Sequence, residues 1–218
     1  MDLTDWTARF VQIMEETFAG RVRFIGIQGS CGRGEATADS DIDMVVILDT
    51  FSYADLQLYS HALDGMEHRD KLCGFISGCR ELQCWDSAEL FQFYHDTVPL
   101  SGDLDWLKPL ITPESIRRAI HTGACGIYHA CVHNAVHEKE PSALRPLFKS
   151  AAFVLQAKHF YDTGTYIRKK TDLIGALSGS DSLILRQSMT GCDPLPFDAA
   201  SRLLMEWSSG LIAWSAPR

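Results

Sequence analysis

The chain has 218 residues, of which 46% are hydrophobic and 22% are charged, with a formal net charge of −8 and a pI near 5.4. This composition is ordinary for one large or two small globular domains, and its acidic balance disfavours a surface that tracks long nucleic acid. No apolar run reaches the ~18 residues of a membrane span, and the first residues do not resemble a signal peptide. We therefore expect a cytoplasmic protein with no membrane partner.

The seven cysteines are odd in number, and no two of them form a C-x-x-C pair. This spacing indicates neither a disulfide framework nor a Cys-rich zinc module, so we expect reduced thiols.

The first half of the chain alternates helical and strand-like patterns. Apolar residues at four-residue steps from Trp6 to Phe18 predict an amphipathic helix that ends near Gly20. Capping-box spacing at Ser52 is followed by an apolar helical stripe. The elements predicted after the first helix are strands over 21–28 and 42–48, a helix over about 53–66, a strand region over 71–82, a short helix over 87–94 and an edge strand over 96–102.

The character of the sequence changes at Thr112-Pro113-Glu114, which has a capping hydroxyl, a proline in the first turn and an acid at a helix start. We place a domain boundary here, between 1–110 and 111–218. The helices predicted after it cover about 113–138, 145–163, 171–190 with a break near Gly179, and 197–214. Four helices of this length favour an up-and-down bundle.

The segment 24–48 has the form of strand, Gly-Ser turn, short helix and second strand, with Asp41 and Asp43 at the start of the second strand. Side chains alternate along a strand, so both carboxylates point to one side with Cα atoms roughly 6.5 Å apart. Such a pair can reach one hard cation, or two cations about 3.5 to 4 Å apart. The spacing predicts a magnesium site.

A strand that turns directly into a helix at Gly29-Ser30 leaves unpaired N–H groups, which favour an anion such as a phosphate. Gly32 and Gly34 indicate a backbone shaped for close approach, because each glycine costs a helix about 1 kcal/mol relative to alanine. Phosphate beside paired carboxylates predicts a nucleotide with Mg²⁺.

Three motifs together, Gly29-Ser30, Arg33-Gly34 and Ser40-Asp41-Ile42-Asp43, resemble those of the polymerase β-like nucleotidyltransferases. The minimal and kanamycin nucleotidyltransferase-like types are the most similar, and the helical second half resembles the C-terminal domain of the latter. The resemblance implies an α+β fold, with a small mixed-sheet nucleotidyltransferase domain followed by an α-helical bundle of the four-helix type.

The resemblance also implies a reaction, in which Mg²⁺ assists transfer of a nucleoside monophosphate, AMP from ATP or its equivalent from another NTP, to a hydroxyl. It makes Asp41 and Asp43 the catalytic metal ligands and assigns nucleotide binding to Gly29, Ser30 and Arg33. The acceptor is left open between an aminoglycoside-type antibiotic, a protein side chain and an RNA end, and the net charge favours the first two. A homodimer is one option for the assembly.

The family usually carries a third carboxylate on the strand after the first long helix, and this sequence departs from that pattern. Residues 74–77 hold no acid, which leaves Glu81 as the candidate catalytic carboxylate and Asp86 as a weaker one. Glu81 as a solvated turn residue is the alternative. Asp96 is interpreted as structural, and the general base is left open between Glu81 and Glu114.

Basic residues of the helical half are available to meet the triphosphate. Lys149 and Lys158 lie two and a half turns apart, so only one can face a given point, and we choose Lys149. The four-residue ladder from His121 to His137 drifts about 160° around an α-helix, so it cannot present all its members to one ion. We interpret it as a polar helix face or as packing, with a zinc site as the alternative.

Two other classes of protein remain as alternatives. The missing acid on the third strand favours a degenerate nucleotide-binding protein, either regulatory or of the toxin–antitoxin type, without transfer activity. A HEPN-type ribonuclease expects an Arg followed by four to six residues and a His, and neither Arg117 nor Arg118 has that spacing to His121.

Overall fold

A computed structural model describes residues 2–189 and 191–216. The fold class is confirmed: a mixed four-stranded sheet with flanking helices is followed by a helical region. By Cα proximity the chain divides into two compact units, and the domain boundary at 110/111 stays a prediction. The sheet unit comprises Met1–Asp86 and Phe93–Leu110, and the helical unit comprises Ser87–Gln92 and Ile111–Arg218.

The sheet has the strand order β3-β2-β1-β4. Strand β1 pairs antiparallel with both β2 and β4, whereas β2 pairs parallel with β3. The parallel pair requires a crossover, which the helix between β2 and β3 supplies. The strands are β1 (Val22–Gln28), β2 (Ile42–Leu48), β3 (Leu72–Gly78) and β4 (Val98–Gly102).

Five α-helices accompany the sheet, and the last of them, α5, continues from the helical unit into the sheet unit. The strand region expected over 71–82 is therefore a strand followed by a short helix. The helices are α1 (Leu3–Phe18), α2 (Gly29–Arg33), α3 (Tyr53–Leu63), α4 (Cys79–Gln83) and α5 (Ser87–Asp96), with 3₁₀ turns at Arg69–Lys71 and Asp105–Leu110.

The core of the sheet unit lies between α1, α3 and one face of the sheet. Helix α1 begins at an Asp2 cap, whose carboxylate accepts the Thr4 N–H at 2.8 Å. Its apolar stripe is buried, with Phe10 and Met14 at 0% exposure. Alternate β2 residues pack against this stripe, so the residues between them face the other side of the sheet. The residues of β2 on the α1 side are Ile42, Met44, Val46 and Leu48.

In the part of the chain that the structure describes, the helical unit is built on three long helices and two shorter ones that pack around a single apolar core. The expected helix over 171–190 is broken by a 3₁₀ turn, and it resumes at Gly179, whose φ of +56° suits a residue without Cβ. The helices are α6 (Pro113–His133), α7 (Leu144–Thr163), α8 (Lys170–Leu173), α9 (Gly179–Gln187) and α10 (Phe197–Ser215), with 3₁₀ turns at Pro141–Ala143 and Ile174–Ala176.

Helix α6 begins at Thr112, which forms a reciprocal capping box with Ser115. Its last turn continues as a π-helix over Asn134–Glu138. Among the described residues no helix is long and apolar enough to cross a membrane. All seven cysteines lie within the described ranges, and each is a free thiol.

Candidate functional site

The turn between β1 and α2 lies directly against the start of β2. Gln28, the last residue of β1, pairs with Asp43 across the antiparallel ladder. Gly29 follows with φ +65°, and a Cβ built there would collide with the Asp43 carboxylate. Only glycine satisfies both the left-handed backbone and this contact. The Gly-Ser turn therefore lies in contact with the second aspartate of the Asp-x-Asp pair.

The two aspartates of this site differ in environment. Asp41 is exposed just before β2, whereas Asp43 is half-buried inside the strand. Burial raises the pKa of Asp43, the Asp41 charge raises it further, and the Arg33 guanidinium opposes both effects. A cation placed between the two carboxylates would offset this repulsion, which is the electrostatic condition that a metal site requires.

Cys31 lies on α2 beside the two carboxylates. Its thiol donates to the Asp41 backbone carbonyl at 3.3 Å, which ties α2 to the start of β2. Burial raises the pKa of the Cys31 thiol, and the charges of Asp43 and Asp41 raise it further. The thiol is therefore protonated at neutral pH and acts here as a packing and hydrogen-bonding group rather than as a thiolate.

Arg33, the last residue of α2, is engaged inside the protein. Its Nη1 contacts both carboxylate oxygens of Asp96, at 3.1 and 3.0 Å, and its Nε contacts Glu35 at 3.1 Å. Burial alone would lower the pKa of Arg33, but attraction to Asp96 and hydrogen bonds to Asp96 and Glu35 outweigh it and the pKa is raised. These acids hold its guanidinium, and the expectation that Arg33 binds nucleotide stays a prediction.

The donor set at Asp41 and Asp43 fits a magnesium ion that arrives with a triphosphate. Mg²⁺ takes oxygen ligands and is commonly held by one or two carboxylates together with substrate phosphates. Within the described ranges, no group of three or more His, Cys, Asp or Glu side chains is arranged to hold a metal ion. The two carboxylates therefore fit a single ion whose remaining ligands come from the nucleotide.

Glu81 is not brought to this site. It follows β3 on α4, and its carboxylate lies beside Gly78. Gly78 pairs with Leu48 at the end of β2, whereas Asp43 pairs with Cys73 at the beginning of β3. Five strand residues separate the two positions, roughly 16 Å at about 3.3 Å per residue. The structure thus corrects the expectation that Glu81 completes the metal site, because β3 and β2 run parallel and place it at the opposite end of the sheet.

The position on β3 that lies beside Asp43 belongs to Cys73, an exposed residue. Paired residues of neighbouring parallel strands point to the same face, so a carboxylate at residue 73 would face the Asp43 side of the sheet. The next residue, Gly74, has φ +155°, and a Cβ there would collide with the Met44 carbonyl. Neither position supplies an acid, so the third strand lacks the carboxylate that the resemblance implies.

The remaining expected residues lie in the helical unit. Lys149 is exposed on α7, and Glu114 is exposed in the first turn of α6, so their functional roles stay predictions. Lys158 is held by Asp162 and Asp181, at 3.2 and 3.6 Å. His121 contacts the Ser215 hydroxyl at 3.0 Å. The His133 ring stacks on His129 within α6. The π-turn that follows His133 counters the α-helical drift and brings His137 to 4.9 Å from it, ring centroid to ring centroid, at a tilted angle.

The residue that sequence reasoning undervalued is Asp96. It lies 53 positions after Asp43, at the end of α5, and no motif spacing connects it to the Gly-Ser turn. Its Oδ2 accepts the Gly29 N–H at 3.3 Å in addition to its contacts with Arg33. The available signal was indirect: an Arg in a tight turn between two strands needs a carboxylate partner if it is buried.

The small mixed sheet thus carries a Gly-Ser turn in contact with one of the two paired aspartates, the arrangement that the resemblance to nucleotidyltransferases implies. Residues 8–91 match the family described as "Nucleotidyltransferase domain". The expectation of a nucleotidyltransferase domain is therefore confirmed over residues 8–91. No curated protein sequence matches the chain significantly.

The solved structures that match this chain include the following two. The crystal structure of spectinomycin adenyltransferase AAD(9) from Enterococcus faecialis, with ATP and spectinomycin, has a TM-score of 0.56 and 12% identity. That alignment covers 96% of this chain and 99% of the other, and at this identity it shows the fold alone. The second is the crystal structure of a nucleotidyltransferase-like protein from Exiguobacterium sibiricum 255-15, with 9% identity and a TM-score of 0.36. Its alignment covers 95% of this chain and 74% of the other.

Proposed function

We propose that this protein is a Mg²⁺-dependent nucleotidyltransferase that moves a nucleoside monophosphate, AMP from ATP, to a hydroxyl of a small molecule of the aminoglycoside type or of a protein. One observation carries the proposal. The Asp43 carboxylate, next to Asp41, is packed against a Gly29 that no other residue could replace without a collision. This contact holds the turn beside a carboxylate that can ligate a cation, which is where a phosphate chain accompanied by Mg²⁺ would lie.

The residues of the site would have different roles in this reaction. Asp41 and Asp43 would hold the divalent ion through their oxygens. The backbone of the Gly29-Ser30 turn, apart from the Gly29 N–H that Asp96 accepts, would orient the triphosphate for attack on its α-phosphorus. When bound, Mg²⁺ offsets the negative charge of the phosphates. The acceptor oxygen forms a bond to the α-phosphorus as the bond to the β-phosphate oxygen breaks, and pyrophosphate leaves. The acceptor proton passes to a carboxylate or to water.

The choice of ATP and of a small-molecule acceptor is supported by the similarity in fold to a spectinomycin adenyltransferase solved with both ligands. That alignment extends over nearly the full length of both chains, so the helical half takes part in the similarity. Because the identity is 12%, spectinomycin is a probe to be tried first and not an assignment.

The proposal is tested by incubating the purified protein with Mg²⁺ and α-labelled ATP, GTP, CTP or UTP, together with spectinomycin, a panel of aminoglycosides, or a cell lysate. We expect label to move to one class of acceptor. Asp41→Asn and Asp43→Asn should each lower the rate at least roughly 10²-fold, the scale of losing one preorganised electrostatic group. If the wild type transfers label and both variants do so at the same rate, the assignment of the site to Asp41 and Asp43 is wrong.

A second candidate function follows from the third strand. Cys73 stands beside Asp43 where a carboxylate would complete the metal site, and Glu81 lies at the other end of the sheet. Two carboxylates suffice to bind Mg²⁺ with a nucleotide, but a second ion that activates the acceptor would lack a ligand. Nucleotide binding without label transfer to any acceptor, including the protein itself, would favour this nucleotide-binding regulatory role.

A further inference from the structure

We infer that Asp96 and Arg33 form a clamp that positions the nucleotide-binding turn, and that neither contacts the phosphates directly. This inference rests on the proposed function, because it assigns a role within the same site. It names Asp96 as a positioning residue that acts through Gly29 and Arg33.

The geometry is that of one carboxylate bound to both ends of a five-residue helix. The Asp96 carboxylate accepts a hydrogen bond from the N–H of Gly29, the first residue of α2, at 3.3 Å. It also accepts hydrogen bonds from Nη1 of Arg33, the last residue of α2, at 3.0 and 3.1 Å. Both side chains are nearly excluded from solvent, at 8% and 9% exposure. An isolated helix of this length is not stable in water, so the contacts at its two ends set its position.

The carboxylate is itself held in place. Asp96 ends α5, and Thr97 follows it immediately. The amide of Gln28, the residue before the turn, donates to the Thr97 hydroxyl at 2.6 Å. That hydroxyl donates to the Phe93 backbone carbonyl at 2.5 Å. The end of β1, the turn and α2 are therefore fixed to the end of α5 at consecutive points along the chain.

Two consequences distinguish a clamp from an ordinary ion pair. While Asp96 holds the Gly29 N–H, that amide is not available to a phosphate, so orientation of the nucleotide depends on the rest of the turn. The clamp also fixes Gly29 against Asp43, because the two are in contact. Loss of Asp96 should thus loosen the contact between the turn and the metal-binding carboxylate, even where the rest of the fold is intact.

The experiment compares this pair with a second carboxylate–arginine pair of the sheet unit, in which the carboxylate is buried and the arginine is partly exposed. Arg21 contacts Asp55 at 2.6 Å, before β1 and at the opposite end of the sheet from the turn. Dissociation constants for Mg²⁺ with a non-hydrolysable ATP analogue are measured by calorimetry for the wild type, Asp96→Asn and Asp55→Asn. We expect at least roughly tenfold weaker binding for Asp96→Asn and less than roughly twofold change for Asp55→Asn. Equal effects in both variants would overturn the inference.

A second variant separates positioning from stability. Arg33→Met with Asp96→Leu replaces the pair by apolar side chains of similar volume, an exchange that commonly preserves a fold. We expect a cooperative melt, together with faster amide exchange at Gly29 and the same weakened nucleotide binding. Wild-type exchange at Gly29 and wild-type affinity in this double variant would overturn the clamp. Absence of nucleotide binding in the wild type would reject the proposed function and the positioning role with it, whereas loss confined to the clamp variants would support both.

Discussion

The Asp43 carboxylate fills the space that a Cβ at residue 29 would need, so an aspartate in this position requires a glycine opposite it. The contact joins the end of β1 to the start of β2, and it brings the turn and the carboxylate together. It is the relationship on which the site depends, and it can be tested without a ligand.

The first prediction concerns this contact. Gly29→Ala should destabilise the fold by about 2 to 4 kcal/mol, because a left-handed φ disfavours alanine and the new Cβ displaces Asp43. Gly20→Ala is the control: its φ is +80°, but a Cβ there meets nothing within 4 Å, so only the backbone cost of about 1 to 2 kcal/mol should remain. Urea unfolding measures both.

A double-mutant cycle isolates the collision. In an Asp43→Ala background the space beside residue 29 is free, so the additional cost of Gly29→Ala should fall to that of Gly20→Ala. If the cost of Gly29→Ala is the same in both backgrounds, the contact between Gly29 and Asp43 does not constrain the turn.

The second prediction is that Asp43→Asn stabilises the protein in the absence of metal. Burial and the Asp41 charge raise the pKa of Asp43 in the folded state, so its ionised form is disfavoured there. The ionised Asp43 therefore lowers the stability of the fold at neutral pH, and this destabilisation disappears as the pH falls through the raised pKa. We expect the melting temperature of Asp43→Asn in EDTA at pH 7 to rise by a few degrees.

That gain should shrink in acid, where Asp43 of the wild type is protonated. A variant that is less stable than the wild type at pH 7 in EDTA would show that the Asp43 charge is favourably solvated, and the account of the repulsion would be wrong.

The sequence predicted the features that depend on neighbouring residues and missed those that depend on residues far apart in the chain. The strands at 22–28 and 42–48, the Gly-Ser turn and Asp-x-Asp are local patterns of spacing and hydrophobicity, and they were predicted nearly to the residue. Glu81 was misplaced because its position depends on the register of β3 against β2, which no local pattern encodes. The partner of Arg33 was missed because Asp96 lies 63 positions away.

The third prediction follows from that register. Cys73→Asp should place a third carboxylate beside Asp43 and tighten the binding of Mn²⁺, used as a spectroscopic probe for Mg²⁺, by roughly tenfold, since affinity rises with the number of charged oxygen ligands. Electron paramagnetic resonance titration of free Mn²⁺ measures this.

Cys73→Ser and Glu81→Gln are the matched controls, and both should bind Mn²⁺ as the wild type does. A clear loss of Mn²⁺ affinity in Glu81→Gln would contradict the position of Glu81 at the far end of the sheet.

The fourth prediction concerns the pH dependence of stability. A hydrogen bond from Arg21, with further bonds from Ser52, lowers the pKa of Asp55 to about 2 from its ordinary 3.8. A lowered pKa stabilises the fold above the unfolded-state value, and this contribution is lost as the pH falls from about 4 to about 2.

We therefore expect Asp55→Asn to be less stable than the wild type at pH 5 to 7, with the difference in free energy of unfolding closing below pH 4. Urea unfolding of both proteins at several pH values measures it. A difference that stays constant down to pH 2 would show that Asp55 acts through packing and capping rather than through its charge.

The most direct test of the proposed site is calorimetry of ATP binding with Mg²⁺ and with EDTA, on the wild type, Asp41→Asn and Asp43→Asn, with Asp49→Asn as an exposed aspartate just after the end of β2. We predict that Mg²⁺ tightens ATP binding to the wild type and to Asp49→Asn at least roughly tenfold, and that either site variant abolishes this difference. An undiminished Mg²⁺-dependent gain in both Asp41→Asn and Asp43→Asn would contradict the assignment of the metal to this pair.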